Sequence, residues 1–127
     1  MIEKSILLAV EKGLIRDELL LYFGHAGVTV YVTTNDNNIK DILRTKPPQC
    51  LIIQMNFQSF DALEILLDMR DEGIEVPVIL LNLSDDHTPE INIEQINLIS
   101  HIFEQPITTH AVCKAADALL KKMVEHN

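Results

Sequence analysis

Short, almost unbroken apolar runs alternate along the chain with segments whose apolar residues recur every three or four positions. Residues 5–10 (SILLAV) form a near-continuous apolar run, as expected of a parallel strand buried on both faces. Residues 14–25 follow, with Ile15, Leu19, Tyr22, Phe23 and Ala26 at helical spacing and Gly27 placed to stop the helix. The β-branched run 28–33 (VTVYVT) predicts a second strand. TNDNN offers an Asn or Asp cap for a short helix around residues 39–44, and Pro47-Pro48 blocks its continuation. Residues 50–55 (CLIIQM) predict strand three. Asp61 can cap a third helix through Glu72, with Leu63, Leu66 and Leu67 inward and Gly73 at its end. After Pro77, residues 78–82 (VILLN) predict strand four. A loop over 83–89 leads to a fourth helix over 90–97 and a short fifth strand over 99–103. The Gln105-Pro106 turn opens a long last helix over 108–125, with Val112, Ala115, Ala116, Leu119, Leu120 and Met123 inward.

Strands alternating with helices imply an α/β architecture, a parallel sheet covered on both faces. Right-handed crossovers leave few topologies, and at this size the common strand order is 2-1-3-4-5. That order opens a crevice between strands one and three, at the carboxyl ends where such folds bind ligands. No repeat, linker or low-complexity segment interrupts the 127 residues, so one domain over 1–127 is expected. Without Trp, the core must come from Leu, Ile and Val. No apolar run approaches the roughly 20 residues of a membrane span. MIEKSILLAV lacks a cleavage site, reads as a first strand, and implies a cytoplasmic protein.

Charge narrows the function classes. A formal net charge of -9 repels phosphate backbones, so no direct nucleic-acid binding is expected. Lys121-Lys122 is only a pair near a helix end, where cations sit well. Cys50 and Cys113 lie far apart in apolar settings and read as buried reduced thiols. EKGLIR, with its single glycine, makes no phosphate loop. His25, His87, His101, His110 and His126 are scattered without a nucleophile or acid beside them, so no enzyme is expected. Glu11, Asp85, Asp86 and Glu104 lie near strand ends, but too few carboxylates would converge for a metal. No cofactor is expected either. Phe57 and Phe60, the only aromatics in the loop after strand three, read as loop anchors packing on helix one.

Several stretches, in order, carry a family likeness: SILLAVEKGLIRDELLLYF, HAGVTVYVTTNDNNIKDILRTKPPQCLIIQ and EGIEVPVILLNLSDD, followed by Gln105-Pro106. Over essentially its whole length the chain resembles the receiver domain of two-component response regulators, the chemotaxis-regulator-like family. The resemblance implies a flavodoxin-like (βα)5 three-layer sandwich of order 2-1-3-4-5. It also implies a phosphoacceptor Asp where this chain has Gln54, and a Mg²⁺-holding acidic pair where it has Val10 and Glu11. Asn82 replaces the family's hydroxyl residue, Gln105 its Lys, and Ile102 its aromatic switch residue. A primary amide is a very poor nucleophile, and Glu11 alone is poor provision for Mg²⁺. Removing the Asp and the Lys together avoids stranding either charge. Gln54, Asn82 and Gln105 are expected to hydrogen-bond to one another in a neutral pocket.

The chain is thus similar to a pseudo-receiver, a phosphorylation-independent protein–protein interaction module of bacterial signalling. The family's output face, on the fourth helix, fifth strand and last helix, matches Ile91, Ile93 and Ile102 here, for a protein partner or a second copy. Two alternatives stand beside this. One is a regulatory N-terminal domain of a longer signalling protein, such as a transcription factor or a cyclic-nucleotide enzyme. The other is a small-ligand sensor using the crevice.

Overall fold

A computed structural model describes residues 3–85 and 97–125. Five parallel strands, β1 (Ser5–Ala9), β2 (Thr29–Val32), β3 (Cys50–Met55), β4 (Val78–Asn82) and β5 (Ile99–Glu104), are ordered β2-β1-β3-β4-β5. This is the expected flavodoxin-like topology. The described helices are α1 (Leu14–His25), α2 (Asp36–Thr45), α3 (Ala62–Asp71) and α4 (Thr109–Glu125). The helix expected over 90–97, with Ile91 and Ile93, lies outside the described residues except for Asn97, which is in a turn; Asp86, His87 and His126 also lie outside them.

Side chains alternate across the central strands and divide the core in two. Leu7, Leu51, Ile53 and Leu80 pack with Ile39 and Leu43 of α2 and Ile65, Leu66 and Met69 of α3. Ile6, Leu8, Ile52 and Leu81 face the other way, onto Leu19 and Phe23 of α1 and Val112, Ala116 and Leu120 of α4. β3 and β4 are buried along their whole length, which is why they read as unbroken apolar runs. In β5 the register slips between Val78 and Ile79, leaving Ser100 unpaired. Ile99 and Ile102, three residues apart, therefore share the α2/α3 face.

The inner face of α3 differs from the expected one. Ala62, Ile65, Leu66 and Met69 are buried, Leu63 is half-buried, and Leu67 is exposed. Leucines occur almost all round this helix, so their count does not define a face. Cys113 is buried on α4 beside the expected Val112, Ala115, Ala116 and Leu120, with Leu119 half-buried. Met123 lies outside the described side chains. Burial pushes the Cys50 thiol up to about 12. Burial, then the carboxylates of Asp117 and Glu18, pushes Cys113 up to about 11. Both therefore remain protonated thiols at neutral pH.

Local signals set the helix ends. Asn35 and Asp61 accept the backbone N–H of Asn38 (3.0 Å) and Glu64 (3.3 Å), capping α2 and α3. At the other end of α3, Gly73 turns the backbone left-handed with φ +73. Its N–H then reaches Arg70 O at 3.1 Å, while Ile74 N–H reaches Met69 O at 2.9 Å. Gly27 ends α1 in the same way, with Val28 N–H on Phe23 O at 3.0 Å. A methyl at position 73 would meet nothing within 4 Å, so the cost of adding one is purely conformational. Gly73→Ala should lose about 1 kcal/mol of stability and Gly73→Asn less, since Asn tolerates this region better. Urea midpoints of the two variants check this, and equal losses would contradict it.

Candidate functional site

The crevice lies where β1 and β3 end. β3 places Cys50, Ile52 and then Gln54 toward the α1 side of the sheet. Gln54 is only 4% exposed, and its Oε1 accepts the backbone N–H of Glu11 at 2.9 Å. The amide thus ties the end of β3 to the loop leaving β1. Val10 is wholly buried in the α1/α4 core, and its carbonyl accepts a bond from Arg16 Nη1 at 3.4 Å. Arg16 Nε is buried with no partner among the described residues. Glu11, Arg16, Leu83 and Gln105 border a hollow of about 200 Å³.

The three amides do not form the expected network. In the sheet Gln54 pairs with Leu81, while Asn82 pairs with Met55. Asn82 therefore follows Val78 and Leu80 toward the α2/α3 face, opposite to Gln54. Its Oδ1 accepts Ser84 Oγ at 2.8 Å, Ser84 N–H at 3.1 Å and Asn56 Nδ2 at 3.4 Å. Gln105 Nε2 donates to Leu83 O at 3.0 Å, and Gln105 Oε1 accepts Ile107 N–H at 3.4 Å. Gln54 and Gln105 are thus tied to backbone groups, and Asn82 to Ser84 and the Asn56 side chain, across a site split by the sheet. The peptide bond between Gln105 and Pro106 is cis.

Arg16, Asn56 and Ser84 belong to this site, although the sequence pattern alone does not single them out. Asn56 has φ 59, a left-handed position where Asn is enriched, so the Met-Asn step ending β3 was a usable signal. Arg16 carried none, because helical spacing alone does not show a guanidinium folding back on a strand end.

Phe57 and Phe60 also stand apart from expectation. Their rings lie 5.4 Å apart and pack into the α2/α3 core, not onto α1. α1 covers the opposite face of the sheet. The two rings border a larger hollow of about 410 Å³ with Met55, Asn56 and Asp61, whose carboxylate is already the cap of α3. Ile102 is half-buried against the α2/α3 core, while His101 and Phe103 stack at 6.1 Å on the other side of β5.

A magnesium ion in the crevice would need converging oxygen ligands, carboxylates above all. Instead Val10 is apolar and buried, Gln54 is committed to Glu11 N–H, and a guanidinium lies alongside. Among the described residues no three His, Cys, Asp or Glu side chains gather as a metal site requires. These residues do not fit Mg²⁺. Nor is any described helix long and apolar enough to cross a membrane.

No protein-family model and no curated protein matches the chain. Solved structures do match its fold. The receiver domain of the Francisella response regulator 1452 superposes with a TM-score of 0.78 at 19% identity, over 95% of this chain and 99% of that one. A CheY-like response regulator receiver domain protein from Methanospirillum hungatei JF-1 gives 0.75 at 10% identity, over 98% of both chains. Full-length FixJ from B. japonicum gives 0.76 at 16% identity, 96% of this chain spanning 60% of that one. At such identities the likeness is one of fold.

Proposed function

We propose that the chain is a pseudo-receiver: a response-regulator receiver domain that no longer takes up a phosphoryl group and acts by binding protein. The observation that carries this is Gln54. It stands at the end of β3, buried, with its oxygen holding Glu11 N–H at 2.9 Å. An amide so engaged has neither the nucleophilicity nor the freedom to receive phosphoryl. Val10, Asn82 and Gln105 depart from the receiver pattern at the surrounding positions, in keeping with a site no longer used for this chemistry. The interaction face is proposed around β5, where half-buried Ile102 replaces a switchable aromatic, together with Ile91 and Ile93. The domain acts in cytoplasmic signalling.

Incubation with acetyl phosphate and Mg²⁺, followed by intact-mass measurement, tests the proposal. The expected result is no phosphoryl adduct on the native chain. An adduct mapped to Gln54's neighbours in the crevice would overturn it. A second reading, that the domain regulates a longer signalling chain, is favoured by full-length FixJ, of which this chain spans only 60%.

A further inference from the structure

A hollow of about 430 Å³ opens at the amino ends of β3 and β4, the opposite end of the sheet from the crevice. Its apolar walls are Leu43 and Pro47-Pro48, where α2 ends, and Ile74 and Val76, between α3 and β4. The polar groups around it divide by kind. The donors are committed. Arg44 is bidentate to Glu72, at 2.7 and 3.1 Å. Lys46 turns toward β2, its Nζ 5.2 Å from the centre of the Tyr31 ring. Pro47 and Pro48 have no N–H, and those of Gln49, Gly73 and Ile74 are bonded to the carbonyls of Ser5, Arg70 and Met69. The acceptors remain open. Gln49 stands just before β3, its side chain on the same face as that of Leu51, and its Oε1 is buried with no partner among the described residues. Glu75 is exposed and makes no ion pair among them. Both α2 and α3 end beside the hollow, and the last turn of a helix carries partial negative charge.

We infer that this hollow binds a small organic amine, an apolar body carrying one protonated nitrogen. Pro47, Pro48 and Ile74 would hold the body, and the ammonium would reach Glu75 and Gln49 Oε1. The terminal torsion of glutamine is broad and two-fold, so a turn of the amide presents that oxygen to the hollow. A donor supplied to a buried unpaired acceptor removes a desolvation cost that the free chain carries. The acceptors select the charge of the occupant. An anion would meet the Glu75 carboxylate and two helix ends of its own sign, on a chain already at -9. A neutral hydrocarbon would leave Gln49 Oε1 unpaired. The site shares no residue with the crevice or the β5 face and does not depend on how either is read.

The probe is phenethylamine, charged at neutral pH as lysine is. Hydrocinnamate is its anionic counterpart and phenethyl alcohol its neutral one. In an amide-detected NMR titration of the whole chain, the amine should saturate with a Kd of about 5 mM or tighter. The signals that move should be the Gln49 side-chain amide and the backbone N–H groups of Gly73 and Ile74. Hydrocinnamate should not saturate, and the alcohol should bind at least about fivefold more weakly than the amine. Glu75→Gln and Gln49→Leu should each weaken the amine by about fivefold or more. Asp17→Asn, an equal change of charge at an exposed position on α1, should leave Kd within about twofold. Gln49→Leu removes the unpaired acceptor, so its urea midpoint should equal or exceed that of the native chain, which separates lost binding from lost folding. Failure of the amine to saturate would overturn the proposal, as would shifts confined to other residues or equal binding of hydrocinnamate. Equal losses in Asp17→Asn and Glu75→Gln would reduce the effect to net charge and overturn it too. Amine binding left intact by Gln49→Leu would overturn the role given to the buried oxygen, and the site with it.

Discussion

Phe23→Ala should lose about 3–5 kcal/mol of unfolding free energy, and Phe23→Leu under about 1.5. The ring is wholly buried, with Leu19 beside it and Val112, Ala116 and Leu120 of α4 in the same core. It also stands edge-on to Tyr22, centroids 5.3 Å apart and planes at 79°, so truncation removes an aromatic contact along with the burial. The site has little scope to collapse, because Val28 N–H is bonded to the Phe23 carbonyl and holds the end of α1 in place. A domain of this size is stable by about 5–15 kcal/mol, so the Ala variant should fall near the edge of folding. Urea unfolding of both variants checks this, with the slope m unchanged from wild type. A loss below about 1.5 kcal/mol for the Ala variant would mean that α1 and α4 do not close over this residue.

The fold was largely legible from the chain, for identifiable reasons. β3 and β4 are buried on both faces, so their apolar runs end where the strands end, and the expected bounds at 50–55 and 78–82 match the structure. α2 was harder. It was expected around 39–44 but spans Asp36–Thr45, because Asn35 caps it and its first turn is built from polar residues that carry no periodic signal. The side on which Phe57 and Phe60 pack was decided by topology. In this strand order the step from β1 to β2 runs opposite to the step from β3 to β4, so right-handed crossovers put α1 and α3 on opposite faces. That rule was available and would have corrected the expectation.

The site was legible by position and not by bonding. Which residue ends each strand follows from the apolar pattern: Asn82 is terminal on β4, and Gln54 stands one residue before the end of β3. Which residue stands beside which depends on register. A step of one residue between the pairs Gln54–Leu81 and Met55–Asn82 sends the two amides to opposite faces. Composition carries no trace of that step, so the three-amide network was a natural expectation with no geometric support.

Gln54→Asp should destabilise the chain by about 1–3 kcal/mol at pH 7, and the loss should depend on pH. The new carboxyl would stand where Gln54 is 4% exposed, and its shorter side chain would give up the reach to Glu11 N–H. Burial disfavours the charged form and raises the native pKa above the ordinary value of about 3.9. Between those two values the native state holds more protons than the unfolded state, so stability falls as pH rises. The variant should therefore approach its smallest deficit near pH 4 and reach a constant, larger one above the raised pKa. Every tenfold rise in the carboxyl's proton affinity on folding adds about 1.4 kcal/mol to that difference. Gln54→Glu keeps the reach to Glu11 N–H, and one such bond favours the carboxylate, so its deficit should be smaller and its pH step narrower. Subtracting the wild-type curve isolates the effect, since the native amide does not titrate. Mg²⁺ should not rescue either variant, because Val10 offers no side-chain oxygen and the Arg16 guanidinium is bonded to its carbonyl. A stability gain with Mg²⁺ in Gln54→Asp would show that one carboxylate suffices to rebuild a cation site. The crevice would then be one substitution short of the receiver's chemistry, with phosphoryl transfer the next thing to measure on that variant.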